Sequence, residues 1–494
     1  MKFATALNNE ASWTRTENGA VAKNTSGNGL VDLFGSIGSL RAADDLRIQR
    51  LFEEAWKDDP LMATKIWFYG RDVRGGLGER GTFRTLLKYL ADHHPEAVEP
   101  NIPLIGLYGR FDDLYSLIGT GLENNMWVYM KSLLLSDLEL MENEKPCSLL
   151  AKWIKTPDAS SDNTRKLGIL TAKRLGYSVY DFKRILRKLR KYIDVVEVKM
   201  SSRKWDTIDY SNVPSRAMMN YREAFKKHDS LRFDEFLDKV SSGEEKINAS
   251  TLYPYDLVGK IFEYGWKVNI KEDPVVEAQW KALPNYVEPG TNAIVIADTS
   301  GSMTCCNGMP MNSALGLAVY FAERNTGAYH NLFMSFSRSS RVHAIKGDTL
   351  AQKLSSIDMS DWSGNTNLNK AFLNVLKIAI ENKVPNEEMV KSIIVISDME
   401  IDYCSDDDWT FYDYMKAEYA SYGYEIPNIV FWNVNSRHDI FHAVSTRKGV
   451  QLVSGQSAST FRNLVGCIGL TPYEMMAKVI NTERYDLISI KGKE

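Results

Sequence analysis

Asp298-Thr299-Ser300-Gly301-Ser302 sets one carboxylate and two hydroxyls at alternate positions. Alternation along a loop lets all three side chains face one way. Carboxylate and hydroxyl oxygens are the hard donors that Mg2+ favours, and the ion takes about six of them, waters included. Further loops must therefore contribute. Thr366, within Ser363-Gly364-Asn365-Thr366-Asn367-Leu368, offers a third hydroxyl just before a helical stretch. Asp398 follows the apolar run 392–397 and offers a second carboxylate. The expected metal set is Asp298, Ser300, Ser302, Thr366 and Asp398, around Mg2+ or another divalent cation. Alone, the first loop also suits helix capping, because Asp and Ser after a strand satisfy the free N–H groups of the next helix. The threonine and second aspartate lift it above that reading. Asp398-Met399-Glu400-Ile401-Asp402 and Asp406-Asp407-Asp408 add acid nearby. The triple Asp reads either as support for a cation or as a solvated loop.

A second chemistry is cationic. Arg71, Arg74, Arg80 and Arg84 crowd a glycine-rich turn, a composition suited to phosphate contacts or to surface pairing with Asp72 and Glu79. Between residues 145 and 232 there are 21 Lys and Arg against 9 Asp and Glu, a local charge of +12. The whole chain carries −3, which leaves −15 for the remainder. That asymmetry is the footprint of nucleic-acid binding. Lys152, Arg165, Lys166, Lys183, Arg184, Arg187, Lys188, Arg203 and Lys204 complete the candidate RNA-binding set. Trp153, Tyr177, Tyr180, Tyr192 and Trp205 are interleaved with them, placed either to stack on unpaired bases or to fill a core. Arg110, in Tyr108-Gly109-Arg110-Phe111-Asp112-Asp113, reads as a buried structural contact.

The elements that must hold these groups fall into two kinds. From about 42 to 285 apolar residues recur at helical spacing, as in Ile48, Leu51, Phe52, Ala55 and Trp56, and prolines punctuate the series. The expectation is a HEAT-like helical-repeat array or ring, preceded by an irregular arm over 1–41. From 286 onward, short apolar runs at 292–297, 330–336, 392–397 and 428–434 alternate with helical stretches. Such alternation predicts a parallel, doubly wound sheet over 286–494, ended by a closing helix at 471–481.

Gly76 to Gly81 spells G-x-G-x-x-G, but its surroundings are helical, so no dinucleotide-binding βαβ unit is expected. No Walker A lysine follows a glycine loop. The seven histidines show no metal-ligand spacing, and there is no nucleophile elbow. The expected class is non-enzymatic. The five cysteines, 147, 305, 306, 404 and 467, form no disulfide framework, and adjacent Cys305 and Cys306 read as reduced thiols. No apolar run spans a bilayer, and residues 1–10 lack a secretory pattern, so an intracellular, cytoplasmic protein is expected.

The loop constellation resembles the von Willebrand factor A family and its metal-ion-dependent adhesion site, over about 170 residues. The resemblance implies direct ligation by Ser300 and Ser302. It also implies water-mediated roles for Asp298 and Asp398, engagement of Thr366 with ligand, and an open position for an acidic group from a protein partner. Thr16-Glu17-Asn18-Gly19-Ala20, Gly75-Gly76-Leu77-Gly78-Glu79-Arg80, Gly109-Arg110-Phe111-Asp112-Asp113, Ala151-Lys152-Trp153-Ile154-Lys155 and Val430-Phe431-Trp432-Asn433-Val434 resemble a family of helical proteins fused to A-type modules. More distantly, the architecture is similar to the Ro autoantigen (TROVE) family. That likeness implies a helical ring that binds small structured or single-stranded RNA. The alternative is an adaptor whose metal site captures a partner's carboxylate.

Overall fold

The computed structural model of the chain describes residues 11–265, 268–403 and 409–492. The first strands, β1 (Trp13–Arg15) and β2 (Val21–Lys23), pair antiparallel around a turn at Gly19. Asn28 then caps α1 (Gly29–Ser36) by accepting from the Val31 N–H. All but the first residue of this helix are buried, and it packs on the far edge of the C-terminal sheet. The arm expected to be irregular is thus a structured brace. Its helix is buried on every side, with Asp32 and Ser36 enclosed among the apolar residues, so it lacks the one-faced pattern that marks a surface helix.

Ten of the longer helices follow, and their starts obey local chemistry. α2 (Asp45–Asp58) is capped by Asp44 and buries Ile48, Leu51, Phe52 and Ala55. Asp59 caps α3 (Pro60–Arg71), with Pro60 in the first turn, where its missing N–H costs nothing. Next come α4 (Arg80–His93), α5 (Glu123–Glu142), α6 (Asp162–Leu175) and α7 (Val179–Tyr192). The last two helix pairs are α8 (Ser215–His228) with α9 (Ser230–Ser242), and α10 (Pro254–Ile261) with α11 (Pro274–Lys281). α8 and α9 enclose a small separate core around Tyr210, Phe225, Phe233 and Phe236. The other helices named here contribute to one continuous apolar core with the sheet, running from Ala20 to Ile488, and α11 also lends Val275 to the small one.

The glycine motif is structural. A Cβ on Gly76 would sit 2.1 Å from the Tyr69 carbonyl oxygen. Gly78 has φ +70 and lies against the Tyr253 hydroxyl. Only glycine fits both places.

After a two-residue pair, β3 (Phe262–Glu263) with β4 (Asn269–Ile270), comes a six-stranded sheet. Its strands are β5 (Ala293–Asp298), β6 (Leu332–Phe336), β7 (Ser340–Ala344), β8 (Ser392–Ser397), β9 (Asn428–Asn433) and β10 (Val450–Ser454). The order is 10-9-8-5-6-7, and all neighbours are parallel except β6 and β7. Every residue of β5 and β8 is buried, which explains their unbroken apolar runs. α12 (Cys305–Arg324) follows β5, and α13 (Leu368–Glu381) precedes β8. α14 (Phe411–Ser421) precedes β9, and α15 (Pro472–Ile480), begun by a Thr471–Glu474 capping box, closes the chain. The strand order reverses at β5. In open α/β sheets that reversal opens a crevice at the carboxyl ends of the strands.

Burial fixes one pH response. His442 is enclosed behind β9, with Nε2 3.0 Å from the Met399 carbonyl oxygen, and burial pushes its pKa down to about 4. Its folded pKa lies below the unfolded value of about 6.5, so the unfolded chain takes up the proton more readily. Stability is therefore lost as pH falls from about 6.5 towards 4, by on the order of 3 kcal/mol from this group at most. Urea unfolding across that range should show the loss, and His442→Phe should flatten the slope even if it lowers stability throughout.

Candidate functional site: a pocket at the sheet reversal

Three loops meet above the carboxyl ends of β5 and β8. Backbone hydrogen bonds tie the first to the threonine loop: Gly301 N–H to Gly364 O at 3.1 Å and Ser363 N–H to Thr299 O at 2.8 Å. The third loop joins through Asp402 N–H to Thr366 O at 2.9 Å and Thr366 N–H to the Asp402 carboxylate at 3.1 Å. Ser363 and Met399 take positive φ in these loops, as do Cys306 and Asn307 at a non-helical kink that breaks the start of α12. Left-handed non-glycine residues cost about 1–3 kcal/mol each, so strain is gathered where the loops converge.

The five expected metal ligands meet here. Asp298 ends β5, fully buried, and accepts from the Ser300 N–H at 2.8 Å and from the Ser397 hydroxyl. The Ser300 and Ser302 hydroxyls lie 3.1 Å apart and share a hydrogen bond. Ser302 and Thr366 line an open pocket of about 520 Å³. Asp398 is buried, and its charge acts directly on Asp298. Burial and that neighbouring carboxylate together push Asp298 well above the ordinary aspartate range. Two buried carboxylates and three hydroxyls form an all-oxygen donor set whose two negative charges are met by one arginine, Arg437 on Asp398, and the donor chemistry suits a hard divalent cation.

The structure adds groups the sequence reading did not place here. Arg437, beyond β9, donates from Nη2 to Asp398 at 3.1 Å and from Nη1 to Glu17 on the arm. Asn18 donates to the Thr366 hydroxyl at 3.3 Å and to the Glu400 carbonyl oxygen at 2.7 Å. The Glu17 N–H donates to the buried Glu400 carboxylate at 2.7 Å, which also meets His438 Nδ1 at 2.9 Å. The arm thus forms one wall of the pocket. The Thr16–Ala20 stretch stood out in the sequence only through a family resemblance, and the partners of Glu17 and Asn18 lie more than 340 residues away. Asp402 belongs to the pocket, whereas Asp406, Asp407, Asp408 and Cys404 lie outside the described residues. Cys305 and Cys306 are free thiols. Among the described residues no group of three or more His, Cys, Asp or Glu is arranged to hold a metal, so any cation here depends on hydroxyls.

The candidate RNA-binding cations do not form one surface. Arg71 is 2 % exposed and paired with buried Asp113 at 2.8 Å, so its charge is satisfied inside the protein. Arg84 bridges Asp112 and Asp113. Arg74 is exposed and donates to the Leu107 carbonyl oxygen at 3.1 Å. Arg165 and Lys166 pair with Asp162, Lys183 with Asp158 and Arg184 with Asp181. Lys152 lies near Glu197 and over the Trp153 ring. Arg80, Arg187, Lys188, Arg203 and Lys204 are exposed, with no ion pair among the described residues. Arg110, read as a buried contact, is half-buried. It pairs with Asp112 and stacks its guanidinium 3.9 Å from the centre of the Trp153 ring. Of the interleaved aromatics, Tyr180 is 75 % exposed, whereas Trp205 packs against the small core and stacks on the exposed His228 ring. No helix among the described residues is long and apolar enough to cross a membrane.

Comparison with known proteins follows the same division of the chain. Residues 16–120 and 174–289 match a family described as a domain of unknown function, DUF2828. Residues 292–483 match a second, DUF7788. Uncharacterized protein L728 of Acanthamoeba polyphaga mimivirus is 27 % identical, over 97 % of this chain and 91 % of that protein. Among solved structures, the Ro (RSR) protein of Deinococcus radiodurans aligns over 87 % of this chain and 93 % of that one, at 12 % identity and a TM-score of 0.42. The chain is therefore similar to two uncharacterised families in succession, with the junction between α11 and β5.

Proposed function

We propose that the chain is a non-enzymatic RNA-binding protein whose C-terminal half is a von Willebrand A-type module with a divalent cation site. The observation that carries the RNA reading is the set of exposed, unpaired cations. Arg187 and Lys188 on α7, with Arg203 and Lys204 beyond it, lie in the +12 stretch and form no ion pair among the described residues. Such cations gain most from a polyanion, because phosphate contacts release condensed counterions. Ser300, Ser302 and Thr366 would hold Mg2+ through their hydroxyls, and Asp298 and Asp398 would balance its charge. A bound Mg2+ would offer a Lewis-acidic position to an oxyanion. A second reading, capture of a partner's carboxylate at this site, is favoured by one observation: the Glu17 carboxylate already stands in the pocket wall, held by Arg437.

Filter binding of the purified chain to single-stranded and structured RNA, at two salt concentrations, tests the first reading. Binding should fall steeply with salt, by a slope of about 0.7 per phosphate contact on single strands. An Arg187→Ala, Lys188→Ala double variant should weaken binding to every sequence alike and reduce the slope by up to about two contacts. Absence of RNA binding by the unaltered chain at low salt would rule the reading out and leave carboxylate capture as the stronger one.

A further inference from the structure

We infer that Arg80, Arg84, Arg110 and Lys155 form a phosphate-binding site at the open N-terminus of α4, with Trp153 as its aromatic floor. The inference rests on the RNA reading only for the source of the phosphate.

Charge imbalance is the first ground. Arg84, Arg110 and Lys155 all converge on one carboxylate, Asp112, at 3.0, 2.5 and 3.7 Å. Asp113 beside it is already engaged by Arg71 and Arg84. With Arg80, five cations meet two carboxylates. Arg80 itself makes no hydrogen bond or ion pair among the described residues, although its neighbours are all paired. Its surroundings work against its charge: partial burial, then the guanidiniums of Arg110 and Arg84, hold it below the usual arginine range. Asp112 and Asp113 oppose that effect without cancelling it, and cations that outnumber the carboxylates beside them suit an anion.

Local geometry is the second ground. Glu79, at the N-cap of α4, does not cap the helix, because its carboxylate is held by Arg41 at 2.8 Å. The first turn therefore keeps its positive end without a side-chain cap. Gly81 in that turn has nothing within 4 Å of a would-be Cβ, so space is open beside the backbone. Thr82, next in the turn, is 2 % exposed and its hydroxyl has no partner. A helix N-terminus flanked by arginines is a ready setting for a phosphate group. Trp153 is half-buried beneath the Arg110 guanidinium, so a base attached to that phosphate would find an aromatic and guanidinium surface beside it.

The test uses the full chain with two probes, inorganic pyrophosphate followed by thermal shift and a labelled single-stranded RNA followed by anisotropy. Arg80→Ala leaves every ion pair in place, so it should fold. Without ligand it should melt slightly higher than the unaltered chain, because a repelling charge is gone. It should weaken binding about tenfold and reduce the salt slope by about one contact, with Arg80→Lys between the two. If both probes bind and Arg80→Ala weakens both, the site takes chain-borne phosphate. If pyrophosphate alone binds, in an Arg80-dependent way, the site stands with a free oxyanion as ligand and the RNA reading falls. If RNA binds equally well to Arg80→Ala and Arg80→Lys, the inference is overturned and the RNA reading survives. If neither probe binds, both are overturned.

Discussion

Asp113→Ala should destabilise the protein by about 3–5 kcal/mol, the usual result of removing one partner from a buried ion pair. Asp113 is fully buried and accepts from Arg71 and Arg84 at 2.8 and 2.6 Å and from the Arg110 N–H at 3.0 Å. Its loss leaves the Arg71 guanidinium enclosed with no counterion, and Arg71 cannot turn to water because it is 2 % exposed. Arg84 keeps Asp112, so most of the cost arises at Arg71. Denaturant unfolding measures it, as a lower midpoint at unchanged slope. A change below about 1 kcal/mol would mean that the interior around Arg71 is wetter than its burial implies. The same reasoning bears on probing nucleic-acid binding. Truncating Arg71 would lower stability and mimic a binding defect, whereas Arg80, Arg187 and Lys188 can be changed without exposing a buried charge.

Asp298→Ala should abolish binding of Mn2+, used as a spectroscopic stand-in for Mg2+, while Arg437→Gln should strengthen it by about tenfold. Asp298 is the carboxylate at the centre of the donor set, bonded to Ser300 and Ser397. Arg437 acts in the opposite sense. Its guanidinium is 3.1 Å from Asp398, so it supplies the positive charge that a divalent ion would supply. Burial disfavours its charged form, but Asp398, Glu17 and Glu400 outweigh burial and hold its pKa above the ordinary arginine value. At the effective dielectric of a partly exposed site, one unit charge a few ångströms away changes binding by roughly 1–4 kcal/mol. Mn2+ titration followed by electron paramagnetic resonance reads both variants. Tight binding by Asp298→Ala would exclude the pocket as the cation site. Equal affinity in Arg437→Gln would show that the arginine does not compete.

The sheet and its loops were legible because their signals are local. β5 and β8 are unbroken apolar runs since both faces are covered, and Asp298 and Asp398 stand at or just past their ends. The amphipathic face of α2 was legible for the same reason, with Ile48, Leu51 and Phe52 on one side. What escaped were pairings between distant segments. Glu17 and Asn18 reach loops more than 340 residues later, and no local pattern encodes that. Arg71 looked like a surface cation because arginines are seldom buried, and only the approach of Asp113 makes its burial affordable. α1 went unread as a packed element because a short helix enclosed on all sides has no polar face to set off an apolar one.

The contact between the chain's two ends also has a consequence for the order of synthesis. Asp72 is fully buried, and its partners include Arg484 and Tyr485, the latter with its hydroxyl 3.1 Å from the carboxylate. Arg484 follows Asp72 by 412 residues. At typical translation speeds of about 5–20 residues per second, Asp72 emerges on the order of 20 to 80 s before Arg484 does. Through that interval the helical half can assemble its own pairs, such as Arg71 with Asp113, but not this one. The nascent chain must keep the Asp72 carboxylate hydrated, with the cleft around it open. Closure is thus a late event, possible only after the 412 residues that separate the two partners have been added.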